Sequence, residues 1–356
     1  MNKKAPAITV LMSVYNAETF LDEAILSIRN QTHQDFEFLI INDGSTDNSA
    51  EILNRHSRED SRIRIIHQEN RGLIAALNRG IEEARAPYIA RMDSDDIALP
   101  DRLAKQWQRM LEDEELGLVG GHIHLINSHG ETQTVIRFPV GEPEIKERIY
   151  YGSPVAHPAA MMRRELIRKV GGYRSFYKHC EDYDLWLRLS EHAKIDNLDE
   201  VVLLYRRHGS SISMTNRENQ TTGTFLAQAA WLLRHKGLPD PTDEWAAIDR
   251  RLLHEIPLPP EEKWRLLCRW TLATVESLPN ESFEEGANLL KTLQSTPGRL
   301  RGDSSLDLFR INGKLARSAL KAGYKRQAML YASHCIRHEP LRSIRETLRR
   351  ALSLAL

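Results

Sequence analysis

The chain has 356 residues, more than one average domain, and at roughly 150 residues per domain two units are expected, each able to bury a core. Hydrophobic residues make up 41% and charged residues 28%, and no stretch approaches the ~20 apolar residues of a membrane-spanning helix, which excludes an integral helical membrane protein. Formal net charge is zero, but residues 301–356 hold 12 Lys/Arg against 4 Asp/Glu, so a tail of +8 follows a body of −8 and invites a partner.

The N-terminal stretch MNKKAPAITVLMSVYNAE has a short apolar run and no small-residue cleavage site, so no secretion signal is expected. Short β-branched or aromatic segments follow at ITVLMSV (8–14), FEFLIIND (36–43), IRIIHQ (63–68) and PYIARMD (87–93). Between them run helical stripes, one of Phe20, Leu21, Ala24, Ile25 and Ile28, another of Leu73, Ala76, Leu77 and Ile81. Strand then helix, repeated, gives a doubly wound, mostly parallel α/β sheet of Rossmann type, whose ligands lie beyond the carboxyl ends of the strands.

Three polar clusters fall at such ends: Ser13–Glu18, Asn42–Asn48 and Asp93–Asp96. In SVYNAE, Ser13 offers a hydroxyl, Tyr15 a stacking ring and Asn16 an amide for a base edge. INDGSTDNS has the composition of a turn and lacks the spaced glycines and lysine of a P-loop. Asp43 ends a buried strand, where it accepts hydrogen bonds from a base or ribose or caps the helix near Ser49–Asn54. In ARMDSDDIALPDRL, alternate residues of a strand face one side, so Asp93 and Asp95 are expected to point together with Ser94 facing away. Two such carboxylates suit Mg²⁺ or Mn²⁺ bridging a diphosphate, and equally a solvated acidic turn with Asp96 or Asp101 capping the helix that starts near Pro100.

Beyond residue 100, LGLVGGHIHLIN (116–127) and TQTVIRFPV (132–140) read as strands, ELIRKVGGY (165–173) as a helix ended by glycines, EDYDLWLRLSEHA (181–193) as an amphipathic helix and KIDNLDEVVLLYRRHG (194–209) as a strand pair. Glu181, Asp182 and Asp184 sit in the first helical turn, where the dipole favours negative charge without any function, and Asp184 is expected to serve only that purpose. His157 and His208 follow strands, where phosphate or metal contact and plain packing are both open. From about residue 217, Trp231, Trp245, Trp264 and Trp270 among turn signals such as GLPDP and IPLPP indicate an all-helical region; residues 315–340 resemble one tetratricopeptide-like hairpin, but a plain bundle is expected. The three cysteines Cys180, Cys268 and Cys335 are far apart and odd in number, which fits a reducing cytoplasm rather than a disulfide framework or zinc knuckle.

Taken together, SVYNAETFLDEAILSIRNQT, INDGSTDNS, NRGLIAALNRGIEEARAPYIARMDSDDIALPDRL, HPAAMMRRE, GGY, EDYDLWLRL and YRRHGSSIS resemble, in order and over roughly residues 7–213, the family 2 glycosyltransferases, which have the GT-A fold. The resemblance implies a GT-A domain over 1–216 with a helical region over 217–356. It implies inverting sugar transfer from a nucleotide diphosphate sugar, expected to be UDP-linked, to a hydroxyl of a glycan or lipid-linked acceptor in bacterial surface polysaccharide synthesis. Tyr15, Asn16, Glu18 and Asp43 would cradle the nucleoside, with Arg71 near the base or diphosphate. Asp93, Ser94 and Asp95 match the DXD motif, with Asp95 the direct ligand of a divalent ion, Mn²⁺ or Mg²⁺, and His208 near metal or diphosphate. Glu181 and Asp182 match the ED motif, with Asp182 as general base.

Two rivals remain. A sugar nucleotidyltransferase would want a glycine-rich basic loop where SVYNAE stands, and a non-catalytic glycan-binding module would not need every acid of the reaction. The tail LRSIRETLRRALSLAL places Ile344, Leu348, Leu352 and Leu356 at helical spacing beside Arg342, Arg345, Arg349 and Arg350. It reads as a contact with an anionic membrane, making the protein peripheral on the inner face of the plasma membrane, or as a packed helix or homo-oligomer contact. No recognition module for nucleic acid is visible.

Overall fold

The computed structural model describes residues 5–209, 217–279, 282–296, 305–322 and 324–338, and the chain divides into two units, Met1–Thr215 and Asn216–Leu356. The tail of residues 340–356, with its amphipathic spacing, lies outside the described residues.

In the first unit the expected rhythm is present: β1 (Ile8–Val14), α1 (Leu21–Arg29), β2 (Phe36–Asp43), α2 (Ser49–Glu59), β3 (Ile63–Gln68), α3 (Leu73–Glu83) and β4 (Tyr88–Met92). Strands β1, β2, β3 and β4 pair in parallel. Their burial is nearly continuous along β1, β2 and β4, as it must be for a sheet covered on both faces. On one face Ile8, Val10, Met12 and Val14 pack with Leu21, Ala24, Ile25 and Ile28 of α1 and with Tyr88, Ala90 and Met92 of β4. Alternation sends Arg91 to the other face. There α3 approaches β1 so closely that a Cβ on Gly80 would lie 2.1 Å from Leu11 Cδ1, which fixes glycine at that position.

The second half of the unit contains β5 (Ile97–Ala98), α4 (Arg102–Glu112), β6 (Leu116–Ile126), β7 (Thr132–Ile136), α5 (Glu142–Ile149), β8 (Met161–Arg163), α6 (Arg164–Lys169), α7 (Glu181–Ser190) and β9 (Lys194–Arg206). The sheet runs β3-β2-β1-β4-β8-β6-β9-β5 with β7 on β6, so parallel order gives way at β8, which is antiparallel to both β4 and β6. The expected strand pair over 194–209 is a single strand. It stays in register with β6 by bulging at Asp199 and Glu200, between Leu198 opposite Gly121 and Val201 opposite His122, and so absorbs polar residues without a turn.

The second unit is helical: α8 (Arg217–His235), α9 (Leu252–Glu255), α10 (Pro260–Ser277), α11 (Phe283–Ser295), α12 (Ser305–Lys321) and α13 (Lys325–His338). Pro260 opens α10 where a missing N–H costs nothing. Leu226, Ala229 and Leu233 of α8, Trp264, Leu267 and Trp270 of α10, and Ile311 and Leu315 of α12 are buried. Among the described residues no helix is long and apolar enough to cross a membrane.

Candidate active site

The ends of β1 and β2 are stitched together by side chains. Asn16, in left-handed backbone at φ 48, accepts from Thr46 N at 2.8 Å, and Glu18 accepts from Asn48 N at 2.9 Å and from Asn48 Nδ2 at 2.7 Å. In return Asn16 N donates to Ser45 Oγ, Ala17 N to Ser49 Oγ and Glu18 N to Asp47 Oδ2. Asn16 Oδ1 and Glu18 Oε2 are therefore engaged, while the Tyr15 ring stands exposed beside them and Ser13 is half-buried. Asp43 does not cap α2. Buried at the end of β2, it accepts from Gln68 Nε2 at 2.6 Å, Arg71 N at 3.0 Å and Gly72 N at 2.8 Å, which pins the turn carrying the exposed Arg71 side chain.

Strand β4 stops at Met92, so strand alternation does not place Asp93 and Asp95. A bend does so, and it adds a third acid: oxygens of Asp93, Asp95 and Asp96 lie within 4.8 Å of one another. Arg91 Nη2 holds Asp93 Oδ1 at 2.5 Å. His208 Nε2 lies 2.9 Å from Asp95 Oδ2, and Arg206 Nε donates to the Asp95 carbonyl at 2.9 Å. Asp96, for which capping in a solvated turn is one open reading of the sequence, is buried instead: its Oδ1 accepts from Arg206 N at 2.8 Å and its Oδ2 has no hydrogen-bond partner among the described residues. Asp101 is the residue before α4, but its carboxylate pairs with Lys105 at 2.6 Å rather than capping the helix.

Crowding and burial oppose ionisation here. Burial raises the carboxyl pKa of Asp93, and more strongly that of Asp96, which also faces the charges of Asp93 and Asp95. Asp93 keeps 31% of its side-chain surface, so water still reaches it. The same burial lowers Arg102 to about 9, helped by the nearby charge of Arg91; Arg102 lies under the bend, donating to the Arg91 carbonyl at 2.7 Å. Three hard oxygen donors with an acceptor left over suit a small divalent cation, so the residues present fit Mg²⁺ or Mn²⁺.

Helix α7 brings the second group of acids. Cys180 precedes it, and His179 before that takes a left-handed φ of 75. Backbone N–H groups of His179 and Glu181 reach the Glu181 carboxyl, yet its Oε2 is buried without a partner, and burial with the charge of Asp182 pushes it up to about 7. Burial also raises Asp182; the charges of Arg91 and Asp93 act on it, which puts the base candidate within electrostatic reach of the acidic bend. Tyr173, whose hydroxyl is raised by burial, feels Arg91, Asp182, Glu181 and Asp93 together. It is positioned by Gly172 at φ +70, where a Cβ would lie 2.6 Å from the Asn78 amide oxygen that accepts from Tyr173 N. His157 Nε2 pairs with the Tyr173 hydroxyl at 2.8 Å, and burial, with Arg91 nearby, lowers its pKa well below the usual range. Asp184 is more than a helix-start charge: buried, it binds Arg174 and Arg188, the latter at 2.6 Å.

Arg91, Tyr173 and Arg206 are absent from the sequence-based set. Arg91 has a local signal, an arginine inside an apolar strand two residues before an acid; Tyr173 stands in the GGY block, but its pairing with His157 comes only from the fold.

An α/β sheet whose strand ends present a stitched polar loop pair and an acidic bend, with a desolvated aspartate at the start of α7, fits a sugar transferase of GT-A architecture. The Glycosyl transferase family 2 profile matches residues 9–171. The chain is 40% identical over 208 residues to the O-antigen biosynthesis glycosyltransferase WbnJ of Escherichia coli, covering 57% of this chain and 81% of that protein. Among solved structures, S. aureus TarS 1-349 in complex with UDP-GlcNAc aligns at 15% identity with TM-score 0.59, over 94% of this chain and 92% of that one. A mannosyltransferase from Pyrobaculum calidifontis in complex with GDP-Man and Mn²⁺ aligns at 16% identity with TM-score 0.54, over 94% and 88%. The chain belongs to glycosyl transferase family 2 and is a glycosyltransferase.

Proposed function

We propose that the first unit moves a sugar, with inversion, from a nucleotide diphosphate sugar, UDP-linked, to a hydroxyl of a glycan or lipid-linked acceptor in bacterial surface polysaccharide synthesis. The observation that carries this is the acidic bend of Asp93, Asp95 and Asp96, together with the charges of Arg91 and Asp93 acting on Asp182. The likeness to an O-antigen transferase and to a fold that holds UDP-GlcNAc supports the choice of substrate class. A nucleotidyltransferase is disfavoured, because the loop after β1 has neither glycine nor a basic residue for a triphosphate.

In this reading Tyr15 stacks on the base, Arg71 reaches the base or diphosphate, and Ser13, Asn16, Glu18 and Asp43 shape the cradle through the bonds that fix its loops. Asp95 and Asp93, with Ser94 between them, hold a divalent cation, and Asp96 and His208 fix the bend around it. Bound there, Mn²⁺ or Mg²⁺ supplies Lewis-acid stabilisation of the negative charge that grows on the departing diphosphate. Asp182 takes the proton of the attacking hydroxyl; its raised pKa makes it a stronger base than an exposed aspartate. Arg91 ties Asp93 in place, and the neutral His157 sets Tyr173 beneath the acceptor side.

The test is donor turnover. With Mn²⁺ the full chain should release UDP from at least one UDP-sugar, lose that activity in EDTA and regain it on adding Mn²⁺. Formation of a nucleotide sugar from UTP and a sugar phosphate would transfer the reading to a nucleotidyltransferase; binding without turnover of any nucleotide sugar would make it a binding module.

A further inference from the structure

The last helical pair carries a feature unrelated to the transfer site. Between residues 308 and 338 the chain has seven Lys/Arg and no Asp/Glu. Helices α12 and α13, consecutive in the chain, pack together, with Ala319 and Ala328 buried and Tyr331 packed alongside them near the connection. Around that connection large apolar side chains face outward: Leu320 is 60% exposed, Met329 66% and Leu330 52%, with Tyr324 also exposed. Lys321, Lys325 and Arg326 stand among them, exposed, and none of the three pairs with a carboxylate among the described residues, whereas Arg310 further down α12 binds Glu276 at 2.9 Å.

We propose that this tip, Leu320, Met329 and Leu330 ringed by Lys321, Lys325 and Arg326, docks the protein on an anionic lipid surface. Aliphatic side chains beside unneutralised cations are what an interfacial helix presents: the apolar atoms enter the acyl boundary while the cations meet lipid phosphates. Charge decides among the other occupants. A second copy related by a two-fold axis would set cations against cations. The chain's own tail, residues 340–356, is basic as well, with Arg342, Arg345, Arg349 and Arg350 against Glu346. Nucleic acid would answer the cations but leave three aliphatic side chains against phosphates. The inference goes beyond the transfer reaction and does not depend on donor or metal.

Flotation of the full chain with phosphatidylcholine vesicles containing about one third phosphatidylglycerol tests it, pure phosphatidylcholine being the control. The wild-type chain should float with the anionic vesicles and release at high salt. Lys321→Glu/Lys325→Glu/Arg326→Glu should weaken binding roughly a hundredfold, taking about fivefold per cation. Leu320→Ser/Met329→Ser/Leu330→Ser should weaken it at least about tenfold. All six side chains are exposed, so the melting temperature and UDP release in solution should stay at wild-type levels, which separates loss of docking from loss of folding or catalysis. No binding to anionic vesicles would overturn the proposal. So would a change in sedimentation with unchanged flotation, which would assign the tip to a second copy, or flotation lost only on removing residues 339–356, which would assign anchoring to the tail.

Discussion

Asp182 and Asp184 lie two residues apart in one turn of α7, and the protein treats them oppositely. Asp184 is matched by two arginines, Arg174 and Arg188, and Arg188 also donates to the carbonyls of Val170 and Gly172. Among the described residues, Asp182 and its neighbour Glu181 receive only backbone N–H groups, and burial lifts both pKa values. The contrast extends to the bend, where one arginine, Arg91, serves an acid that shares its space with two others. A buried carboxylate that only supports the fold is neutralised by nearby cations; the ones at the site are left short of positive charge, the shortage that a cation and a proton from substrate would fill.

Substitutions along α7 should pull these roles apart. The largest effect is expected at Asp182→Asn: transfer falls about 10²- to 10⁴-fold, while UDP affinity in Mn²⁺ stays near wild type by calorimetry. The acid limb of the wild-type rate profile should lie above the ordinary aspartate range, since a base with a raised pKa gains its lone pair only as pH climbs past that value. At Asp184→Ala the signs reverse. Buried Arg188 and half-buried Arg174 lose their shared partner, and urea unfolding should show a loss of about 3 kcal/mol, with turnover per folded molecule little changed. If Asp184→Ala lost turnover and kept stability, the division between the two acids would be wrong.

Glu181→Gln gives a smaller and pH-dependent effect. The Glu181 carboxyl stands near 7 in the folded chain and at about 4.5 in the unfolded one, so between those values the folded state holds a proton that the unfolded state has released. Wild-type stability therefore falls as pH rises through that window. The Gln variant, with no charge to bury, should be more stable than wild type by about 1–3 kcal/mol at pH 8 and nearly equal below pH 5. Thermal melts across pH settle it, and a constant offset between the two proteins would contradict the assignment. The smallest change is expected at Asp101→Ala: its carboxylate makes an exposed pair with Lys105 and no capping bond, so stability should move by less than about 0.5 kcal/mol.

How far the sequence carried the reading depended on how local each signal was. The strand rhythm and the stripes of α1 and α3 are periodic patterns, and β1 to β4 appear where that periodicity puts them. The short strands β5 and β8 were not legible, because two- and three-residue strands exist only through their partners β9, β4 and β6. The acidic triplet was visible as a cluster, but its geometry was misread: the chain bends after Met92, and Asp96 turns inward to the Arg206 N–H, a residue 110 positions away. Asp43 likewise looked like a cap or a ligand contact, and its engagement with the Arg71–Gly72 turn depends on β2 and α3 meeting in space. Side chains whose work lies between distant segments, such as Tyr173 with His157 and Arg206 with Asp95 and Asp96, take partners that no local spacing specifies.

The most direct test of the central claim is the affinity of Mn²⁺ for the full chain in the presence of UDP, followed by electron paramagnetic resonance, for wild type and for Asp95→Asn. One tightly held ion per chain is expected in the wild type, weakened at least about tenfold in the variant, since Mn²⁺ takes only one or two protein carboxylates and one of them is removed. Equal Mn²⁺ affinity in the two proteins would contradict a cation held at the acidic bend.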